Sequence, residues 1–142
     1  MDAAEIERRL SALLASRGEI LEGYLFGSFA RGDAAAHSDV DVAVFVDEGQ
    51  LPPSPFGYHA AMSSDLMKGL ATSKVDVVVL NDAPPLLYHR VLRDGCRLFS
   101  RDLQATTGRE GQALSRYFDF LPHLQKFDRA LADRIRDGDF GR

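Results

Sequence analysis

The 142-residue sequence predicts an α/β fold, with strands alternating with helices and a long amphipathic helix at the C-terminus. Three observations predict it. Val40 to Val46 is a nearly continuous apolar run. A second Val-rich run spans Lys74 to Leu80, with helical patterns on either side. From about Ala113 to Arg136, Leu114, Phe118, Leu121, Leu124, Phe127, Leu131 and Ile135 recur every three or four positions.

In chain order, Ile6, Leu10, Leu13 and Leu14 recur at helical spacing between Asp2 and about Ser16, and Arg17-Gly18 stops that helix. Leu21 to Phe26 reads as a strand in spite of Gly23. Ser28 starts a short helix, and Gly32-Asp33 through Ser38 is a tight polar connection. Val40 to Val46 suits a central strand buried on both faces. The three prolines between Gln50 and Pro55 exclude regular structure there. Phe56 to Leu70 is a helix offering Ala61, Leu66 and Leu70 to a core. Lys74 to Leu80 is the third strand, ended by Asn81-Asp82-Ala83-Pro84-Pro85. Leu86 to Arg93 is a helix stopped by Asp94-Gly95, and Arg97 to Ser100 is a short edge strand. The last helix is expected to kink or restart at Pro122. Its Tyr117, Phe118, Phe120 and Phe127 are expected to be mostly core, any exposed surplus being a docking face. No repeat, low-complexity tract or linker interrupts the pattern, so one domain over residues 1–142 is expected.

Composition narrows the class. Hydrophobic content of 45% and charged content of 27% are those of an ordinary globular protein. A net charge of −4 with no basic run argues against a broad nucleic-acid footprint. The single cysteine, Cys96, excludes an intramolecular disulfide and reads as a small core residue, so a reducing, cytoplasmic setting is expected. Met1 to Arg17 carries acidic residues and a helical pattern, so no signal peptide is expected. No apolar run approaches the roughly 20 residues of a membrane span.

The chemistry concentrates in one stretch. Leu25-Phe26-Gly27-Ser28-Phe29-Ala30-Arg31-Gly32 ends an apolar run in a Gly-Ser turn. After ten intervening residues, the next apolar run opens with Asp39-Val40-Asp41. On a strand Asp39 and Asp41 point the same way, with Cα atoms about 6.6 Å apart. Two such carboxylates at the mouth of a buried strand repel each other and lose hydration unless a cation sits between them. A glycine before Ser28 lets backbone N–H groups and a hydroxyl approach phosphate oxygens closely. Together these describe a site for a metal–nucleotide complex. Arg31 is placed either to meet a phosphate or to pair with Asp33. His37, His59, His89 and His123 are scattered without ligand spacing, which argues against zinc.

The Gly-Ser-x10-Asp-x-Asp pattern resembles the DNA polymerase β-like nucleotidyltransferase superfamily, and the small size resembles its minimal members, the MNT antitoxins encoded beside HEPN-domain toxins. The resemblance implies a short mixed β-sheet flanked by helices. It implies that Gly27 and Ser28 hold phosphate, with Arg31 a further candidate, and that Asp39 and Asp41 ligate magnesium. Asp76 stands where the family's third metal-binding carboxylate is expected, with Asp82, Asp47 and Asp65 as alternatives. The implied cofactor is magnesium, as two ions, with ATP as substrate. The implied reaction is AMP transfer to a hydroxyl of the partner toxin, a tyrosine, within a hetero-oligomer. Two alternatives remain open: a non-catalytic antitoxin that neutralises by binding, and a nucleotidyltransferase acting on a small-molecule hydroxyl.

Overall fold

The structure, a computed structural model, describes residues 2–32, 34 and 38–136. Asp33 and His37, and with them most of the polar connection and the Arg31–Asp33 pairing, lie outside the described residues.

Helix α1 (Ala3–Ala15) starts where the Asp2 carboxylate accepts the Glu5 N–H at 2.8 Å, and it buries Ile6, Leu10 and Leu14. Strand β1 (Ile20–Phe26) leads through Gly27 into the single turn α2 (Ser28–Arg31). Strand β2 (Val40–Val46) and a 3-10 turn at Glu48–Gln50 precede α3 (Tyr58–Leu70). Strand β3 (Val75–Val79), a 3-10 turn at Leu80–Asp82, α4 (Pro85–Asp94), β4 (Cys96–Ser100) and α5 (Leu103–Arg136) complete the order.

The four strands lie in the order β3-β2-β1-β4. Strand β1 is antiparallel to β2 and β4, while β2 and β3 are parallel, joined by the α3 crossover. The sheet is therefore mixed, with β4 at one edge as expected. Strand alternation divides the core. Leu25, Val42, Val44 and Val77 face α1 and α3, and Tyr24 and Ala43 face Tyr88 and Val91 of α4 and Ala113 of α5. Gly23 is tolerated in β1 because a side chain there would overlap Leu14 of α1.

Some expectations need correction. Helix α3 begins at Tyr58, leaving Phe56 91% exposed, and Met62 rather than Ala61 takes the buried position. Helix α5 begins ten residues before Ala113 and runs through Pro122 as one helix. Its first turns have no apolar stripe because charge holds them down. Glu22 of β1 is fully buried and accepts Arg109 Nε and Nη2 at 2.6 and 2.5 Å and Thr106 Oγ1 at 2.9 Å. Glu110 accepts the Tyr24 hydroxyl at 2.6 Å and Arg97 Nη2 at 2.6 Å. The aromatic stripe of α5 is not mostly core, since Phe118 and Phe127 are exposed where the helix has passed beyond the sheet. Among the described residues no helix is long and apolar enough to cross a membrane.

Candidate active site

The C-terminal end of β1 and the N-terminal ends of β2, β3 and β4 share one edge of the sheet. Phe26 pairs with Asp41, Leu25 with Cys96, and Asp41 with Asp76. Adjacent strands lie about 4.8 Å apart, so Asp41 and Asp76 are registered neighbours. Both alternate with side chains of the first core, so they point to the α4/α5 face of the sheet. Asp39 stands just ahead of β2 and is exposed, Asp76 is exposed, and Asp41 is half-buried.

The electrostatics follow from that placement. Burial first, then the charges of Asp76 and Asp39, push the Asp41 carboxyl above the usual carboxylate range, and Arg31 opposes the shift. Arg31 thus belongs to the same charge neighbourhood. At the end of α4 the guanidinium of Arg93 holds Asp94 below the usual range, and Arg31 adds to that effect. Of the alternatives for the third carboxylate, Asp65 pairs with Arg17 on α3. Asp47 accepts the Gly49 N–H beyond the far end of β2, and Asp82 lies in the turn after β3. Asp76 is the one whose charge acts on Asp41.

Gly27 gives the site its shape. Its backbone, at φ 75° and ψ −153°, lies in a region that glycine alone adopts readily. A side chain there would collide with the Asp41 carboxylate. Ser28 follows as the first residue of α2, half-buried, and Arg31 N–H donates to the Gly27 carbonyl at 3.1 Å. Ser38 and Lys74, each adjacent in sequence to the strand ends that carry the aspartates, line a cavity of about 220 Å³ with Ile6, Val40 and Leu70, on the α1/α3 side of the sheet and so opposite the face that carries Asp41 and Asp76. The three described histidines do not join the aspartates. His59 Nε2 lies 2.8 Å from the Val77 carbonyl, His89 stacks on Tyr117, and His123 is exposed on α5.

Among the described residues, no three His, Cys, Asp or Glu side chains form a group able to hold a metal ion by themselves. The donors present suit magnesium all the same. They are hard carboxylate oxygens whose mutual repulsion a cation would relieve, and magnesium is commonly held by one or two carboxylates with substrate phosphates completing its shell.

Comparison with known proteins adds to this geometry. The family model for polymerase beta, nucleotidyltransferase, matches residues 8–104. A candidate protein adenylyltransferase of Methanocaldococcus jannaschii is 30% identical over 94 residues, covering 66% of this chain and 95% of the relative. A chain of the solved complex of tri-AMPylated Shewanella oneidensis HEPN toxin with MNT antitoxin superposes with a TM-score of 0.65 at 23% identity, over 94% of this chain and 98% of that one. A toxin–antitoxin crystal structure with AMP-PNP gives 0.68 at 23% identity, over 92% and 98%. A candidate minimal nucleotidyltransferase of known structure is 33% identical with a TM-score of 0.52, over 68% of this chain and 95% of that one. The two complexes share their fold with this chain.

Proposed function

The chain belongs to the polymerase β nucleotidyltransferase family, and from that premise we propose that it transfers AMP from ATP to a hydroxyl of a partner protein. The acceptor in this reading is a tyrosine of a cognate HEPN-domain toxin, which the chain neutralises as its antitoxin. The observation that carries the reading is the register of Asp41 against Asp76, on one face of the sheet, beside the turn at Gly27. The name of the M. jannaschii relative supports adenylyl transfer to protein, and the solved complexes support a toxin as partner.

Asp39 and Asp41 would hold magnesium, and Asp76 would complete the site for a second ion. Bound magnesium supplies charge neutralisation of the phosphates and polarises the α-phosphorus. The Gly27-Ser28 turn offers backbone N–H groups and the Ser28 hydroxyl to phosphate oxygens, and Arg31 adds a positive charge on the same side. Asp76 takes the proton of the acceptor hydroxyl as its oxygen bonds to the α-phosphorus. The bond from that phosphorus to the bridging oxygen breaks, and pyrophosphate leaves. A reducing compartment such as the cytoplasm suits the lone Cys96.

The test is transfer of labelled AMP from ATP to a candidate cognate HEPN-domain toxin. Asp39→Ala with Asp41→Ala should abolish transfer while the circular dichroism spectrum stays unchanged. If the double variant still protects cells from the toxin, neutralisation is by binding and the enzymatic reading is wrong.

A further inference from the structure

Helix α5 does not stop where the sheet does. Strand β4 leaves the catalytic edge at Cys96 and reaches the far edge at Ser100, so α5 begins at the far edge and runs back. Its contacts mark the route. Thr106 meets Ser100 and Glu22, Glu110 meets Tyr24 and Arg97, and Tyr117 stacks on His89 with ring centroids 3.6 Å apart. Arg93, close to Tyr117, pairs with Asp94 at the catalytic end of α4. At 1.5 Å per residue, the stretch from Phe118 onward projects about 28 Å beyond that edge.

This projecting arm has an apolar face on which no other described residue closes fully. Phe118, Phe127 and Ile135 are exposed at 62%, 65% and 56%. Leu121, Leu124 and Leu131 lie half-buried between them at spacings of three and four. Beyond Phe120 no described residue of α5 is buried. Most helical stability in proteins comes from packing of an amphipathic face, so this face is suited to burial by something else.

We propose that the arm is the docking surface for the protein acceptor, holding it so that its hydroxyl reaches the catalytic edge; this rests on the transferase reading above. Area and charge select that occupant. The three most exposed side chains leave roughly 350 Å² uncovered if an aromatic contributes about 200 Å², against about 800 Å² per partner in a stable interface. A second copy paired through these three side chains alone falls short of that area. A protein that touches the arm and the catalytic edge together reaches it. Between Phe118 and Ile135 three aspartates balance two arginines and a lysine, so the arm has no charge to select a nucleic acid or an anionic headgroup. The partner it fits is a protein with an apolar helix face or groove near its acceptor hydroxyl.

The experiment compares the full chain with the Phe118→Ser, Phe127→Glu double variant, using a candidate cognate HEPN-domain toxin as the probe. Both positions are mostly solvent-exposed, so the fold is retained and circular dichroism confirms it. Affinity for the partner should fall about 30-fold or more, as for loss of an interface hot spot. The KM for the protein acceptor should rise in step, with ATP affinity and kcat at saturating acceptor unchanged. Unchanged partner affinity overturns the proposal. So does a wild-type chain that is dimeric by light scattering, with a monomeric variant that binds the partner as before. If wild type binds the partner without transferring AMP and the variant loses that binding, the docking surface stands and the transferase reading fails.

Discussion

A β-carbon at Gly27 would lie 2.9 Å from the carboxyl carbon of Asp41 and closer still to Oδ2. The space in which Asp41 sits is thus the space a side chain at Gly27 would take. The requirement is doubled, because the Gly27 backbone conformation costs any other residue about 1–3 kcal/mol. Gly27→Ala should therefore both lower the melting temperature and displace the carboxylate. A displacement of about 1 Å at a reacting centre can cost on the order of 100-fold in rate. The measurement is initial velocity of AMP transfer at saturating ATP. A variant within threefold of wild type would show that the position of Asp41 does not limit the reaction.

Asp41 also carries a pH signature. Its carboxyl is held above its ordinary value of 3.8 by burial and by Asp76 and Asp39. A group shifted this way contributes stability that is fully present below the ordinary value and lost as pH rises through the folded one. At neutral pH the ionised side chain therefore destabilises the metal-free fold. Asp41→Asn should melt a few degrees higher than metal-free wild type at pH 7, with the gap closing towards pH 4. Magnesium should raise the melting temperature of wild type and leave the variant nearly unmoved. A variant that melts lower at pH 7 would contradict the charge arrangement.

Much of this site was legible in the sequence because strand periodicity is strict. Asp39-Val40-Asp41 at the head of a Val-rich run places two carboxylates on one side, and Asp76 heads the only other such run. What the sequence does not state is register, and register is what sets Asp76 against Asp41. The beginning of α5 was illegible for a different reason. Leu103 to Gln112 contains two glycines and little apolar surface, and it is held by Arg109 and Glu110 finding Glu22, Tyr24 and Arg97 from elsewhere in the chain. Local pattern carries no sign of such long-range ion pairs. The fate of the aromatic stripe was hidden likewise, since amphipathicity shows that a face is to be covered and not whether the chain itself covers it.

Tyr88 is buried at 2% exposure, and its hydroxyl has no hydrogen-bond partner among the described residues. Burial first, and then the charge of Glu22, push the phenol up to about 12, so it stays protonated at physiological pH. A buried hydroxyl left unpaired costs about 1–3 kcal/mol. Tyr88→Phe keeps the ring that Arg116 covers and removes the unpaired group. It should raise stability by about 1 kcal/mol, or roughly 3 °C in melting temperature. A fall of similar size would mean that a bound water satisfies the hydroxyl.

The Glu22–Arg109 pair decides whether α5 stays on the sheet. Glu22 has no solvent exposure, and both oxygens are taken, one by Arg109 Nε at 2.6 Å and the other by Arg109 Nη2 at 2.5 Å and Thr106 Oγ1 at 2.9 Å. The same guanidinium lies 5.0 Å from the Phe45 ring centroid, so it joins α5 to β1 and β2 at once. Arg109→Met keeps most of the length and removes the charge, leaving a carboxylate buried without its cation. That loss costs about 3–5 kcal/mol, read as a lower urea midpoint. Replacing both partners, with Glu22→Leu and Arg109→Met, removes the stranded charge and should recover most of the stability, because an apolar pair of similar volume is often neutral against a buried ion pair. Single and double variants form a cycle whose coupling measures the pair. If Arg109→Met costs under 1 kcal/mol, water reaches Glu22, and the polar anchor contributes little beyond the apolar packing of Ala113 against Tyr88 and Val91.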